Sequence, residues 1–542
     1  MSNWKAAFAP FGRTLFRNMW AATLVSNFGS LIQGVGAAWL MTSIADSVAM
    51  VAMVQAAATL PIMLFALFGG AIADSFHRRN VMLVALLFML FVSIALTLAT
   101  WFGLISPWLL LGFTFLLGCG VAIHNPTWHA TVGDLVPREE LATAVALNSV
   151  GFNLSRSVGP AIGGAIVAAV GAVAAFAANA ASYLTLILVM WRWKPETSAA
   201  VLPREPIGSA IVTGLRYVAM SPETHKILAR AFSFAFCVVA IPALLPVVAT
   251  QLLGGGPLIY GLMLGAFGLG AVAGAFLGRA WQMRIGTESV IRIAFVGFAI
   301  ASFVTGTSTS SLLTGLAQMI GGACWVLGFS LMNATVQLST PRWVVGRVLS
   351  TFQTVTFGGM AIGAWFWGGV ADWWDLQSAH SSAGLLLLAG AALGLLIPLP
   401  KQVTLNVDPA DRWREPHLEL ELQPRSGPIH IEVAYVIKPE NVEAFLRVMV
   451  DRKRIRRRDG AQHWMLLRDL SLPEVWLERY TTPTWADYVR HNQRRIKGDV
   501  AVTDSLTALH EGPAPPVVRR FIERQPDWQS AMKGQRRGHD VP

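Results

Sequence analysis

The sequence predicts an all-α membrane protein with twelve transmembrane helices in two six-helix repeats, followed by a soluble α+β domain. Three observations carry this. First, only 13% of the 542 residues are charged, against roughly 25% in soluble domains. The deficit is confined to one region: residues 1–400 hold 18 Lys and Arg and 11 Asp and Glu, while residues 401–542 hold 24 and 20. Second, twelve apolar segments reach spanning length before position 400. Third, residues 137–164 align without gaps on 341–368, with Pro137 on Pro341, Arg138 on Arg342, Gly159 on Gly363 and Gly164 on Gly368.

A helix needs about 20 apolar residues to cross a bilayer. The segments lie near 19–43, 48–72, 80–102, 106–126, 141–170, 172–193, 227–252, 258–281, 288–308, 311–337, 346–371 and 383–399. Backbone groups facing lipid must be paired within their own segment, so these are helices. Lys5, Arg13, Arg17, Arg78, Arg79, Arg138, Arg192, Lys194, Arg204, Arg216, Lys226, Arg279, Arg284, Arg342 and Arg347 all flank loops on one side; the opposite loops carry only acids such as Asp46, Asp372 and Asp375. This asymmetry predicts a multi-pass protein of the bacterial cytoplasmic (inner) membrane with both termini in the cytoplasm. The expected parts are a first half at 1–193, a connector at 194–226, a second half at 227–400, a linker at 401–427, a soluble domain at 428–512 and a flexible tail at 513–542. The stretch IGSAIVTGLRYVAM in the connector has the pattern of an interfacial amphipathic helix.

The net charge of +11 does not imply nucleic acid, because the basic residues of the first 400 sit in short loops. Cys119, Cys237 and Cys324 fall inside apolar segments without metal-ligand spacing, so buried thiols are expected and no metal. No cleavable signal follows the N-terminus. A phosphate-binding GxxxxGK[ST] loop is absent, which argues against ATP drive.

Parallel repeats place a substrate cavity between the halves near the bilayer midplane. Arg156 is the basic residue read as lying inside a span. Such a charge costs about 2.5–3.5 kcal/mol on insertion scales and so should face the bundle interior, where it can attract an anion. Asn148 and Asn153 share its helix face. Asn27, Gln33, Gln55, Gln318, Asn333 and Gln353 are further polar residues at span depth, with Trp39, Trp325, Phe352, Phe357 and Trp365 adding aromatic surface. Amides with aromatics suit bulky amphipathic ligands better than sugars. In Gly159-Pro160-Ala161-Ile162-Gly163-Gly164, small residues permit close helix approach and the proline frees a carbonyl. No acid lies clearly at midmembrane; Asp46, Asp134 and Glu288 are peripheral, and His124 and His129 lie near one end of the fourth span.

The stretch GGAIADSFHRR at 69–79 resembles the loop between the second and third helices of the major facilitator superfamily, G-x-x-x-D-[RK]-x-G-R-[RK]. Gly70, Asp74, Arg78 and Arg79 match, whereas Ser75 and His77 replace a basic residue and a glycine. The resemblance implies a gating role for these four. Gly159, Pro160, Gly163 and Gly164 resemble the core of the fifth-helix motif of drug:proton antiporters, although Ser155 stands where an upstream glycine belongs, and Thr114 replaces the fourth-helix arginine of many proton-coupled exporters. Asn125-Pro126, LVPREELATAVALNS, FNLSRSVGPAIGG and GLRYVAMSPETHKIL together resemble the transmembrane secretion effector branch, which includes the enterobactin exporter. The resemblance covers residues 10–400 and implies efflux of a siderophore or drug-like compound; proton coupling is expected of such an exporter, although no titratable group is placed in its path.

Beyond Pro400 the period changes to two. Strands are expected at 429–437, 463–470 and 474–481, with helices from Pro439 to Arg458 and over 484–496. The β-α-β-β-α order fits a ferredoxin-like domain and resembles antibiotic biosynthesis monooxygenase domains. No cofactor motif is present and no catalytic residue is assigned; a regulatory role, or homodimer formation, is expected for it. Six basic residues between Arg452 and Arg458 offer contact with anionic lipid rather than nucleic acid. The expected function is a secondary transporter exporting a small organic molecule by alternating access. The alternatives are an importer of the same fold and a membrane-tethered enzyme or sensor acting through the C-terminal domain.

Overall fold

A computed structural model describes residues 8–75, 77–137, 139–193, 207–341, 343–399 and 413–524. Expectations resting on Arg138, Lys194, Arg204, Arg342, the 401–412 part of the linker and residues 525–542 lie outside the described residues. Two compact units divide the chain. One holds Met1–Ile207, Glu223–Val336 and Leu349–Leu399; the other holds Gly208–Pro222, Gln337–Val348 and Pro400–Pro542.

In the first unit the apolar segments are helices: α1 (Thr14–Ile44), α2 (Val48–Ser75), α3 (Arg78–Trp101), α4 (Pro107–Leu135), α5 (Leu141–Val170) and α6 (Ala172–Arg192). After a connector helix α7 (Ile207–Ala219) come α8 (Pro222–Val238), α9 (Ala240–Gln251), α10 (Pro257–Ile285), α11 (Thr287–Thr307), α12 (Ser311–Ser339), α13 (Val345–Trp373) and α14 (Leu376–Leu396). Among the described residues, ten stretches are long and apolar enough to cross a membrane, with α8 and α9 together forming one of them. Helices α5 and α13 are as long but fall outside the ten. Asn148, Asn153, Ser155, Arg156 and Ser157 dilute the apolar character of α5, as Ser350, Thr351, Gln353, Thr354 and Thr356 do in α13.

Helix ends follow local chemistry. Ser106 caps α4 by accepting from the Leu109 N–H at 3.3 Å, with Pro107 in the first turn. Asp375 caps α14 by accepting from the Ser378 N–H at 2.5 Å, and that bond holds its carboxyl below the usual range. Gly171 joins α5 to α6 at φ +89°, a conformation that a side chain would strain.

The second unit contains β1 (Ile429–Val436), α15 (Val442–Arg458), β2 (Gln462–Arg468), β3 (Val475–Thr482), α16 (Trp485–Gln493), α17 (Val500–Leu509) and β4 (Val517–Ile522). The strands form one antiparallel sheet of order β2-β3-β1-β4. Ile429, Ile431, Val433 and Tyr435 alternate into the core, where Phe445 and Met449 of α15 meet Trp476, Tyr480 and Tyr488. The sheet corrects one expectation. Residues 513–542 were read as flexible, yet Val517–Ile522 form β4, with Ile522 opposite Ile429. Its two arginines and flanking prolines mask a strand whose stability comes from pairing with β1.

The basic run is a second correction. Arg452 and Arg456 do not form a solvated face: they are buried on Glu478, at 3.4 and 3.0 Å. Arg458 pairs with Asp459 and Asp499 at 2.8 and 2.5 Å. Lys453, Arg454 and Arg457 remain exposed. In the same unit, buried Tyr217 of α7 meets Trp343 edge-on at 5.8 Å. Arg458 lies 5.9 Å from the Tyr217 ring and Arg494 4.3 Å from the Trp343 ring.

Candidate functional site: a central cavity in the membrane unit

A cavity of about 400 Å³ opens among helices from both parts of the first unit. Helices α1, α2, α4, α5 and α6 supply one wall; α9, α10, α12 and α13 supply the other. Most of the lining is apolar, including Leu31, Val35, Val54, Leu117, Ile241 and Met360, so each polar group in it is conspicuous.

Arg156 projects from α5 into this lining. Its guanidinium stands 5.5 Å from the Phe267 ring of α10 and 5.3 Å from the Trp325 ring of α12. Those two rings meet edge-on at 5.7 Å. Aromatic faces attract a desolvated guanidinium by about 0.5–2 kcal/mol, less than a carboxylate would. The described lining contains no Asp, Glu or His.

A polar network fills the α1–α6 side. Asn179 Nδ2 donates to Gln33 Oε1 and, at 3.3 Å, to the Tyr183 hydroxyl. Ser93 Oγ donates to the same Gln33 oxygen at 3.2 Å. Across the cavity, Gln318 Nε2 donates to Thr305 Oγ1 at 2.9 Å, while Gln318 Oε1 is buried without a hydrogen-bond donor.

The cavity thus brings together Arg156, Gln33, Gln55 and Gln318, and also lining Trp325 and Pro160. Asn148, Asn153, Asn27, Asn333 and Gln353 do not line it. Asn153 instead donates to the Ser149 carbonyl of its own helix at 2.9 Å. Ser30, Asn179, Tyr183 and Tyr260 line it and were not anticipated; single hydroxyls and amides in long apolar runs carry no period that separates cavity from interface. Arg230 of α8 was also missed as an intramembrane base. It is buried, with Nη1 2.6 Å from Glu288 Oε1 of α11.

The helix-bend glycines sit at close crossings. A Cβ on Gly163 would stand 3.0 Å from Ile32 Cα of α1, and one on Gly159 3.2 Å from Leu31 Cβ. A Cβ on Gly164 would stand 2.5 Å from the Pro257 carbonyl oxygen and 2.9 Å from Gly261 Cα of α10. Pro160 contributes its carbonyl to that crossing, 2.6 Å from a Cβ built on Gly261. Nearby, Trp39 stacks on Tyr260 at 6.4 Å, and the Val48 N–H donates to Asp372 Oδ1 at 2.6 Å. The Gly164–Gly261 crossing, the Trp39–Tyr260 stack and the Val48–Asp372 bond lie toward the end whose loops lack Lys and Arg.

At the other end Arg78 Nη1 pairs with Asp134 Oδ2 at 2.8 Å. Arg79 donates to the Met190 and Trp191 carbonyls at 3.1 and 2.8 Å, satisfying the last turn of α6. The side chains of Gly70 and Asp74 lie outside the described residues.

Helices wrapped around a mostly apolar cavity with a few convergent polar groups fit a multi-pass transporter, and the family match makes it one of the major facilitator type. The transmembrane secretion effector family model matches residues 5–527, and the chain belongs to that family. It is similar to the multidrug efflux pump Tap of Mycolicibacterium fortuitum, 24% identical over 72% of this chain and 97% of that protein. It is also similar to the enterobactin exporter EntS of Escherichia coli O1:K1 / APEC, 26% identical over 61% of this chain and 78% of that one. The fold resembles that of a crystallised D-xylose-proton symporter, with a TM-score of 0.57 at 14% identity over 72% of this chain and 99% of that chain.

Proposed function

We propose that the protein exports a small organic molecule, a siderophore or an amphipathic drug-like compound, across the bacterial cytoplasmic membrane by alternating access. In this reading α5 and α13 complete twelve spans in two six-helix halves, and both termini are cytoplasmic. The observation that carries it is the cavity lined from both sides of the membrane unit, with Arg156 in its wall. An efflux pump and an exporter among the similar proteins support the outward direction.

The crossings at Gly164 and Gly261, the Trp39–Tyr260 stack and the Val48–Asp372 bond close the outer end in this reading. Rocking of the halves would break them and open the cavity outward. The sheet domain is ferredoxin-like and regulatory or dimerising, with Lys453, Arg454 and Arg457 left to contact anionic lipid. Proton coupling is part of the proposal, and the described cavity lining supplies no acid or imidazole for it.

The test uses cells and everted vesicles with a panel of siderophores and fluorescent amphipathic dyes. Export predicts loss from loaded cells and uptake into everted vesicles, both abolished by a protonophore. Uptake by intact cells would establish an importer instead. Removing residues 405–542 should leave flux in place; loss of flux with the membrane unit intact would assign the chemistry or its control to the tail.

A further inference from the structure

We infer that the cavity selects a planar aromatic anion, bound through its negative charge by Arg156, through its ring by Phe267 and Trp325, and through a hydroxyl or N–H by Gln318. The inference rests on the cavity being the transport site and names the substrate class for it.

Charge is the first argument. A guanidinium out of water needs an anion or a set of carbonyls to offset its lost hydration. Arg156 makes no ion pair among the described residues, and the described cavity lining contributes no carboxylate. Among the described residues, two ring faces stand against it, at 5.5 and 5.3 Å. A cation held this way keeps its N–H donors for a carboxylate or phenolate, whose planar shape the guanidinium fork matches.

Shape is the second. Phe267 and Trp325 stand at an interplanar angle of 75°, so a flat ring beside Arg156 can stack on one while meeting the edge of the other. The third is an orphan acceptor. Gln318 is fully buried, its Nε2 is committed to Thr305, and its Oε1 has no donor. A ligand O–H or N–H would satisfy it. A cationic drug has no counter-charge here and would meet Arg156 as a like charge.

The test measures binding to the purified full-length protein in detergent by tryptophan fluorescence and thermal stabilisation. The probes share one ring system: 2-naphthoate, neutral 2-naphthamide and cationic 2-naphthylmethylammonium. The acid should bind about tenfold or more tighter than the amide, and the ammonium weakest. Arg156→Gln should bring acid and amide within about threefold of each other, while Arg156→Lys keeps a preference for the acid. Gln318→Leu should weaken 3-hydroxy-2-naphthoate more than 2-naphthoate. Equal binding of acid and amide, strongest binding of the ammonium, no binding of any probe, or an unchanged preference in Arg156→Gln overturns the inference. Should Arg156→Gln not fold, the ranking of the three probes on the native chain decides alone. Anion binding without export from loaded cells would sink the transport reading and leave this one. Export of neutral or cationic dyes without anion preference would do the reverse.

Discussion

Arg156 and Glu478 are buried or half-buried charges handled in opposite ways. Arg156 has two aromatic faces, whereas Glu478 is saturated by Arg452, Arg456, Trp464 and Tyr435. Burial alone would raise the Glu478 carboxyl, but Arg456 and Arg452 override it and hold it at about 2. Its contribution to stability is therefore present above the ordinary value of 4.5 and lost as pH falls toward 2. Asp459 behaves in reverse: desolvation pushes it up to about 6 against the pull of Arg458. Its contribution is full below the ordinary 3.8 and is lost as pH rises through 6. Hydrogen-exchange protection of β3 in the full chain, corrected for intrinsic rates, should peak near about pH 4, where the two windows meet, and Asp459→Asn should flatten the fall between about 4 and 6. Glu478→Gln should cost about 3–5 kcal/mol, since it strands two buried arginines; a change under about 1 kcal/mol would mean that the cluster is not the domain's electrostatic centre. Arg156 was legible because a charge in an apolar run has few explanations. Arg230 escaped notice because the apolar run reads as starting near residue 227, whereas the helix begins at Pro222 and carries Arg230 at its middle.

At the scale of elements, α5 approaches α10 closely because Gly164 and Gly261 present no side chains to each other. Gly164→Leu or Gly261→Leu should hold the two helices apart at that end and abolish flux while leaving the protein in the membrane; normal flux in either variant would remove that crossing from the cycle. In the second unit, Arg494 over Trp343 and Arg458 over Tyr217 tie α7 and the α12–α13 loop to the sheet domain. Arg494→Ala should lower protection of the 208–219 amides by about 0.5–2 kcal/mol, read by hydrogen exchange. The long apolar helices were legible because each must pair its own backbone, but their ends were not: the fourth runs on to Leu135 and the last begins at Leu376. Strand β4 was not legible, since V-V-R-R-F-I has little apolar period and depends on pairing with β1, far away in the chain.

For the whole molecule, the distribution of Lys and Arg predicts which loops face the cytoplasm. In a chain whose native cysteines are replaced, Thr309→Cys should react with an impermeant maleimide from outside, and Ser471→Cys only after permeabilisation. The reverse pattern would invert the topology and with it the meaning of the closed end. The two-part organisation was legible from the break in charge near residue 400. Which polar residues share the cavity was not, because lining a cavity depends on the rotation of each helix, and of nine polar positions named in advance only Arg156, Gln33, Gln55 and Gln318 line it.

The most direct measurement is the initial rate of efflux from loaded cells for the native chain and for Arg156→Gln at matched membrane abundance, using an anionic fluorescent aromatic as cargo. Rapid export by the native chain and its loss in the variant is the predicted result. Equal export by both, or net accumulation in cells carrying the native chain, would contradict an exporter organised around Arg156.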